Sequence, residues 1–160
     1  MESVLHTIEP VFDKNSTVLI LGSFPSVKSR EASFFYGHPQ NRFWRVISAV
    51  FSDEVPETVE EKKAFLLKHK IALWDVISSC EIEGSSDSSI RNVVPNDISF
   101  ILEKTDIKRI FVNGKTAQRY YNKYILPEIG AEAHCLPSTS PANAAFGLER
   151  LVEEWKIIRE

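Results

Sequence analysis

The stretch from Phe34 to Trp44, FFYGHPQNRFW, brings aromatic rings, a histidine, two amides and an arginine together. Proteins hold an extruded nucleobase by stacking it on rings and by hydrogen bonding to its edge, so this mixture suits a nucleobase pocket. Each residue also has a plainer use: Asn41 suits a helix cap, Phe34, Phe35 and Tyr36 suit a core, and His38 beside Pro39 suits an ordinary loop. Just upstream, Gly22-Ser-Phe-Pro-Ser26 adds Ser23 and Phe24, and Lys28, Arg30, Arg42 and Arg45 gather between Ser23 and Val50 against one acid, Glu31.

Two further segments carry polar chemistry. Asn113-Gly-Lys-Thr116 contains a Gly-Lys-Thr triplet, but a phosphate loop needs a glycine five residues before Gly114, where Arg109 stands. What remains is an amide that donates and accepts at once, able to discriminate one base edge from another, or else a simple Asn-Gly turn. Leu136-Pro-Ser-Thr-Ser-Pro-Ala-Asn143 sets three hydroxyls between two prolines ahead of a helix, a composition that grips phosphate oxygens without reading sequence.

The elements that must position these groups alternate. Thr17–Leu21 reads as a buried strand ending at Gly22, and the apolar spacing of Phe43, Val46, Ile47, Val50 and Phe51 predicts a helix that Asn41 starts. Thr58 and Glu61 have the spacing of a capping box for a helix running to about Lys70. Strands at 71–74, 108–112 and 132–136 follow, with helices over 95–105, 115–124 and 143–158 and a loop at Gly84–Ser89. That order predicts an α/β protein, a three-layer α/β/α sandwich around a central, mainly parallel four-stranded sheet. Ligands of such sheets bind beyond the carboxyl ends of the strands, so the segments after Leu21, Trp74, Val112 and Leu136 should converge, bringing Asp75 and His38 to Asn41.

With 160 residues the chain suits one domain, 1–160. It opens MESVLHTIEP without a basic leader into an apolar stretch and has no run of about 18 apolar residues, so a cytoplasmic protein without membrane contact is expected. Its two cysteines, Cys80 and Cys135, are too few for an iron–sulfur cluster or a four-thiolate zinc site, and no metal or other cofactor is expected. The net charge of −3 argues against indiscriminate coating of nucleic acid while leaving room for a local site.

Phe35-Tyr-Gly-His-Pro-Gln-Asn-Arg-Phe-Trp44, together with Gly22-Ser-Phe-Pro-Ser26, Leu73-Trp-Asp-Val76, Phe111-Val-Asn-Gly-Lys115 and Leu136-Pro-Ser-Thr-Ser-Pro141, resembles the hypoxanthine (deoxyinosine) branch of the uracil-DNA glycosylase superfamily. The resemblance spans nearly the whole chain and implies a monofunctional, metal-free DNA glycosylase of base excision repair, acting as a monomer on DNA that holds a deaminated base. Mismatch-specific relatives carry a catalytic Asn where Phe24 stands here, so the resemblance moves that role to Asn41, with Asp75 and His38 as further candidates. Uracil-specific relatives carry a histidine where Leu136 stands, which argues against efficient uracil release. By the same reading Ser23, Phe24, Phe35 and Asn113 bind the flipped base. Ser138, Thr139, Ser140, Asn143, Lys28 and Arg42 hold the DNA backbone. Three alternatives stay open: a non-catalytic nucleic-acid-binding module on the same fold, a glycosylase acting mainly on uracil in mismatches, and an α/β hydrolase or nucleotide-binding protein, against which the missing Gly-x-Ser-x-Gly elbow counts.

Overall fold

A computed structural model describes residues 2–160. Its centre is a four-stranded sheet of β2 (Val18–Gly22), β3 (Ile71–Asp75), β6 (Arg109–Asn113) and β7 (His134–Leu136), in the order β3-β2-β6-β7 and parallel throughout. All five β2 residues are buried, as their unbroken apolar run requires of a strand covered on both faces. Successive β2 side chains point to opposite faces. Ile20 joins the core beneath α2 (Phe43–Val50), α3 (Val59–Lys68) and α7 (Leu148–Trp155), while Leu19 and Leu21 join the core on the other face. The capping box of Thr58 and Glu61 is present, and the α/β/α layering matches the expectation from the sequence.

The second face holds more than helices. Beside α4 (Ser99–Lys104) and α5 (Lys115–Tyr120) lies a three-stranded antiparallel sheet of β1 (Glu2–Leu5), β4 (Ile77–Ile82) and β5 (Arg91–Pro95), in the order β1-β4-β5. The sequence reading does not anticipate this sheet. β4 reads ISSCEI, too polar to stand out, and β5 is interrupted by Asn92 at φ 53° and by two shifts of register. The helix expected from Pro95 starts at Ser99 instead: Pro95 ends β5, and the buried Asn96 donates to the carbonyls of Asp75 (2.9 Å) and Ile77 (3.2 Å). A short helix not anticipated from the sequence, α1 (Val27–Ala32), follows β2, with the Ser26 hydroxyl accepting from the Ser29 amide. α5 continues through a π-turn (Tyr121–Ile125) into α6 (Leu126–Ile129), and α7 starts at Leu148 rather than Asn143, which lengthens the loop before it.

Chain order puts the switch in direction between β2 and β6: from β2 the chain proceeds to β3 on one side, then crosses to β6 on the other. A crevice opens beyond the carboxyl ends at such a point. Gly22 pairs with Asp75 and Asn113 pairs with Leu136, so these residues stand in a row at that end of the sheet.

Candidate active site

The crevice encloses about 450 Å³, the lower part of the usual range for a small-molecule pocket, and draws on all the segments expected to meet there. From the first come Ser23, Phe24, Phe35, His38 and Asn41; from the others come Asp75, Asn113, and Ser138 to Ala142. Ser85, Ser86, Asp87 and Ser88, in the loop between β4 and β5, complete the wall. Their involvement is hidden in the sequence because it depends on contacts with α1: the Val27 amide donates to the Ser85 hydroxyl (2.9 Å), and Arg30 donates to the Gly84 carbonyl (2.6 Å).

A closed run of hydrogen bonds joins the two asparagines. The Thr139 amide donates to Asn113 Oδ1 (3.1 Å), Asn113 Nδ2 donates to Thr139 Oγ1 (3.0 Å), and the Thr139 hydroxyl donates to Asn41 Oδ1 (2.9 Å). The Phe43 amide also donates to Asn41 Oδ1 (2.9 Å); Arg42, not Asn41, occupies the cap position, so Asn41 ties down the first amide of α2 from one residue further out than anticipated. Both lone pairs of that oxygen are therefore occupied, and Asn41 faces the crevice as a donor through its NH₂ group. A water held there meets a donor, not a base.

Thr139 is 0% exposed, with amide and hydroxyl both engaged by the asparagines, so it cannot reach a phosphate; it holds Asn41 and Asn113 in register. Arg42 is corrected in the same way. Its guanidinium donates to the carbonyls of Ser140 (2.8 Å), Asn143 (3.1 Å) and Phe146, which fixes the last loop from within. Asn143 Nδ2 donates to the Ser138 carbonyl (3.0 Å), another internal tie. Ser138 and Ser140 do line the crevice, whereas Lys28 lies on exposed α1 beside Glu31 (3.5 Å), outside the lining.

Asp75 is 3% exposed and lies on the crevice floor. Its Oδ2 is 2.8 Å from Nε2 of His6, a residue the sequence reading passes over because nothing in MESVLHTIEP marks it. His6 Nδ1 accepts from the Ile8 amide (3.2 Å), which leaves the ring proton on Nε2, directed at the carboxylate. Phe24, Phe35 and Trp74 surround the imidazole at 5.9 to 6.2 Å. The other oxygen, Oδ1, passes directly over Gly22: a Cβ there would overlap it and would come within 2.9 Å of the Tyr36 hydroxyl. Nearer the mouth, His38 Nδ1 accepts from the Gln40 amide (3.1 Å), leaving Nε2 for the crevice.

Tyr36 is the second residue the sequence reading passes over as a site residue. Its ring stacks on Phe43 at 4.1 Å, and its backbone is left-handed (φ 53°), an uncommon conformation for an aromatic residue. Its hydroxyl is the one buried side-chain polar atom among the described residues that has no hydrogen-bond partner. Burial, and then the charge of Asp75, push this hydroxyl far above the ordinary tyrosine range, while the side chain of Asn113, close by but outside normal hydrogen-bond geometry, acts in the opposite sense; it is a neutral O–H at any physiological pH.

Leu136, where uracil-specific relatives would have histidine, is 2% exposed and packed in the core. Among the described residues no three His, Cys, Asp or Glu side chains meet as a metal-binding group, and no helix is long and apolar enough to cross a membrane.

The sequence model of the uracil DNA glycosylase superfamily matches residues 9–159. A protein of Methanosarcina acetivorans named hypoxanthine DNA glycosylase is 38% identical over 150 residues, covering 92% of this chain and 93% of its own length. Another of that name, from Methanosarcina barkeri, is 35% identical over 136 residues, covering 84% of this chain and 85% of its own length. The solution NMR structure of a Methanosarcina acetivorans protein, by its description a candidate uracil DNA glycosylase, superposes with a TM-score of 0.81 at 35% identity, covering 95% and 94% of the two chains.

Proposed function

Since the chain belongs to the uracil DNA glycosylase superfamily, we propose that it is a monofunctional DNA glycosylase that releases a deaminated base, chiefly hypoxanthine from deoxyinosine. The observation that carries this reading is the Asn41–Thr139–Asn113 chain of hydrogen bonds, which aims two amides into a crevice walled by Phe24 and Phe35. Such a crevice takes a base flipped out of the stack, holding it between rings and meeting its polar edge with amides.

In this reading a flipped nucleotide enters base first and its base meets the buried Asp75 carboxyl and the buried Tyr36 hydroxyl together with Asn113, while Asn41, His38, Ser138 and Ser140 meet the sugar and phosphates. Water adds to C1′, the glycosidic bond breaks with its electron pair passing to the base, and the base takes up a proton. The cost lies in the cationic sugar and the charge on the departing base. Asn41 donates to the reacting nucleotide or to the attacking water, and His38 stands beside it as the group able to exchange a proton. The negative charge of Asp75 favours the cationic sugar from below, because charge acts strongly where water is excluded. Ser138 and Ser140 bind backbone oxygens. The protein works as a monomer in the cytoplasm and needs no metal.

The test compares Asn41→Ala and Thr139→Val with wild type on a duplex carrying one deoxyinosine. Asn41→Ala is expected to slow base release about 100- to 1000-fold with duplex binding retained, the usual cost of removing one preorganised donor. Thr139→Val should approach the same loss, since it removes the hydroxyl that binds both asparagines and leaves only the backbone amide on Asn113. Unchanged rates in both variants would overturn the assignment.

A further inference from the structure

Bond breaking alone does not account for three features at the floor of the crevice: the Asp75 carboxylate oxygen that His6 does not engage, the partnerless Tyr36 hydroxyl, and the bare Gly22 beneath both. A buried hydroxyl without a partner is costly and therefore rare in folded proteins. Here it is not a packing accident. Stacking on Phe43 fixes the ring, a left-handed backbone at Tyr36 aims it, and the missing side chain at Gly22 is what allows the phenol and the carboxylate to converge.

The two groups are complementary in kind. The phenol is a neutral O–H available to donate. The carboxylate is held by His6, which presents a proton to Oδ2 and so leaves Oδ1 as an acceptor. Side by side they offer one donor and one acceptor to whatever edge enters the floor.

Deamination of adenine exchanges the donor and acceptor at this edge of the base. Adenine presents an acceptor at N1 and an amino donor at C6, whereas hypoxanthine presents an N1–H donor and an O6 acceptor. We infer that Tyr36 and Asp75 together read this lactam edge, Tyr36 donating to O6 and Asp75 Oδ1 accepting from N1–H, and that they are the residues by which the site tells hypoxanthine from adenine. The inference rests on the glycosylase reading above and deepens it. Adenine in the same seat sets its acceptor against the carboxylate oxygen and forgoes the phenol's donor, and a site that desolvates polar groups discriminates most strongly against a ligand that leaves them unpaired. Asn113, which donates and accepts, tolerates either base and adds grip without choosing.

The experiment uses the full-length protein in single turnover on duplexes containing deoxyinosine or deoxynebularine, the analogue with a bare purine that lacks both O6 and the N1 proton. Rates are compared as variant over wild type for each base, which cancels the different lability of the two glycosidic bonds. Tyr36→Phe is expected to slow inosine release by about 10- to 100-fold, the range for a hydrogen bond lost from a desolvated site, and to leave nebularine release within about threefold. Asp75→Asn, whose amide nitrogen would face the crevice once His6 holds its oxygen, should slow both bases through loss of charge at the sugar and slow inosine further than nebularine, the excess reporting the lost acceptor. Thermal unfolding separates recognition from folding. Because the phenol has no partner, Tyr36→Phe should melt at or above the wild-type temperature, whereas a structural role would lower it. Equal loss on both bases, or a lowered melting temperature with no change in base preference, would overturn the inference. Wild-type protein that binds the inosine duplex but releases no base would instead overturn the glycosylase reading itself.

Discussion

Asn41 shows how much a single residue can carry at this site. Its oxygen accepts from the first amide of α2, that of Phe43, and from the Thr139 hydroxyl, while its nitrogen is left for the crevice. The sequence offers a helix-start role and a site role as alternatives; a side-chain amide has separate donor and acceptor ends, so tying down the helix start leaves the proposed site role open to the same residue. Leu136 carries the matching argument for specificity. It is buried in the core, so nothing at its position stabilises charge on a departing uracil. Replacing that leucine with histidine would not restore uracil release, because the new side chain would enter the core and not the crevice. Leu136→His should leave uracil release no faster than wild type while lowering stability by about 2–5 kcal/mol, from lost apolar burial and an unsatisfied ring nitrogen, as read by urea denaturation.

At the scale of elements, the central sheet and its helices are legible in the sequence because their apolar periodicity is strong: the buried run of β2, the one-sided face of α2 and the capping box of α3 all lie within two residues of their expected places. The antiparallel sheet is not legible. β4 alternates serine, cysteine and glutamate, and β5 is exposed along much of its length, so neither carries a hydrophobic signal of its own. His6 was hidden with that sheet, since it gains meaning only where β1 ends beside Asp75. The residues around Pro141 and Asn143 were legible as a loop ahead of a helix, but its internal wiring was not. Arg42 looked like a phosphate ligand and is instead the tie that holds the loop through the carbonyls of Ser140, Asn143 and Phe146. Arg42→Ala is therefore expected to cost about 1–3 kcal/mol in chemical denaturation, because three half-buried carbonyls lose their charged donor, and to weaken binding of damaged and undamaged duplex alike.

Over the whole molecule, a net charge of −3 sets the character of DNA binding. In the proposed function, neutral groups that line the crevice, Ser138 and Ser140, hold the backbone without releasing counterions. Binding by the Ser138→Ala and Ser140→Ala variants should weaken with an unchanged slope of log affinity against log salt, whereas loss of a cation in phosphate contact lowers that slope by about 0.9. Stability should fall at high pH through a group remote from the crevice. Burial pushes the Tyr121 hydroxyl up to about 12 from 10.0, and that hydroxyl donates to the Ala131 carbonyl at the end of the α5–α6 helix. A raised folded-state value means that the stabilising contribution is complete below pH 10 and is lost as pH climbs through 12. Unfolding followed across that window should steepen in wild type and flatten in Tyr121→Phe.

In the proposed function the crevice breaks a glycosidic bond and does not merely hold damaged DNA. The most direct measurement is the quantity of free base and abasic site formed from a duplex with one deoxyinosine, under excess protein and chelator, beside an identical duplex with deoxyuridine. Hypoxanthine and abasic sites are expected in equal amounts, with slow uracil release and no strand cleavage; tight binding of the inosine duplex with no free base would show that the crevice holds the lesion without excising it.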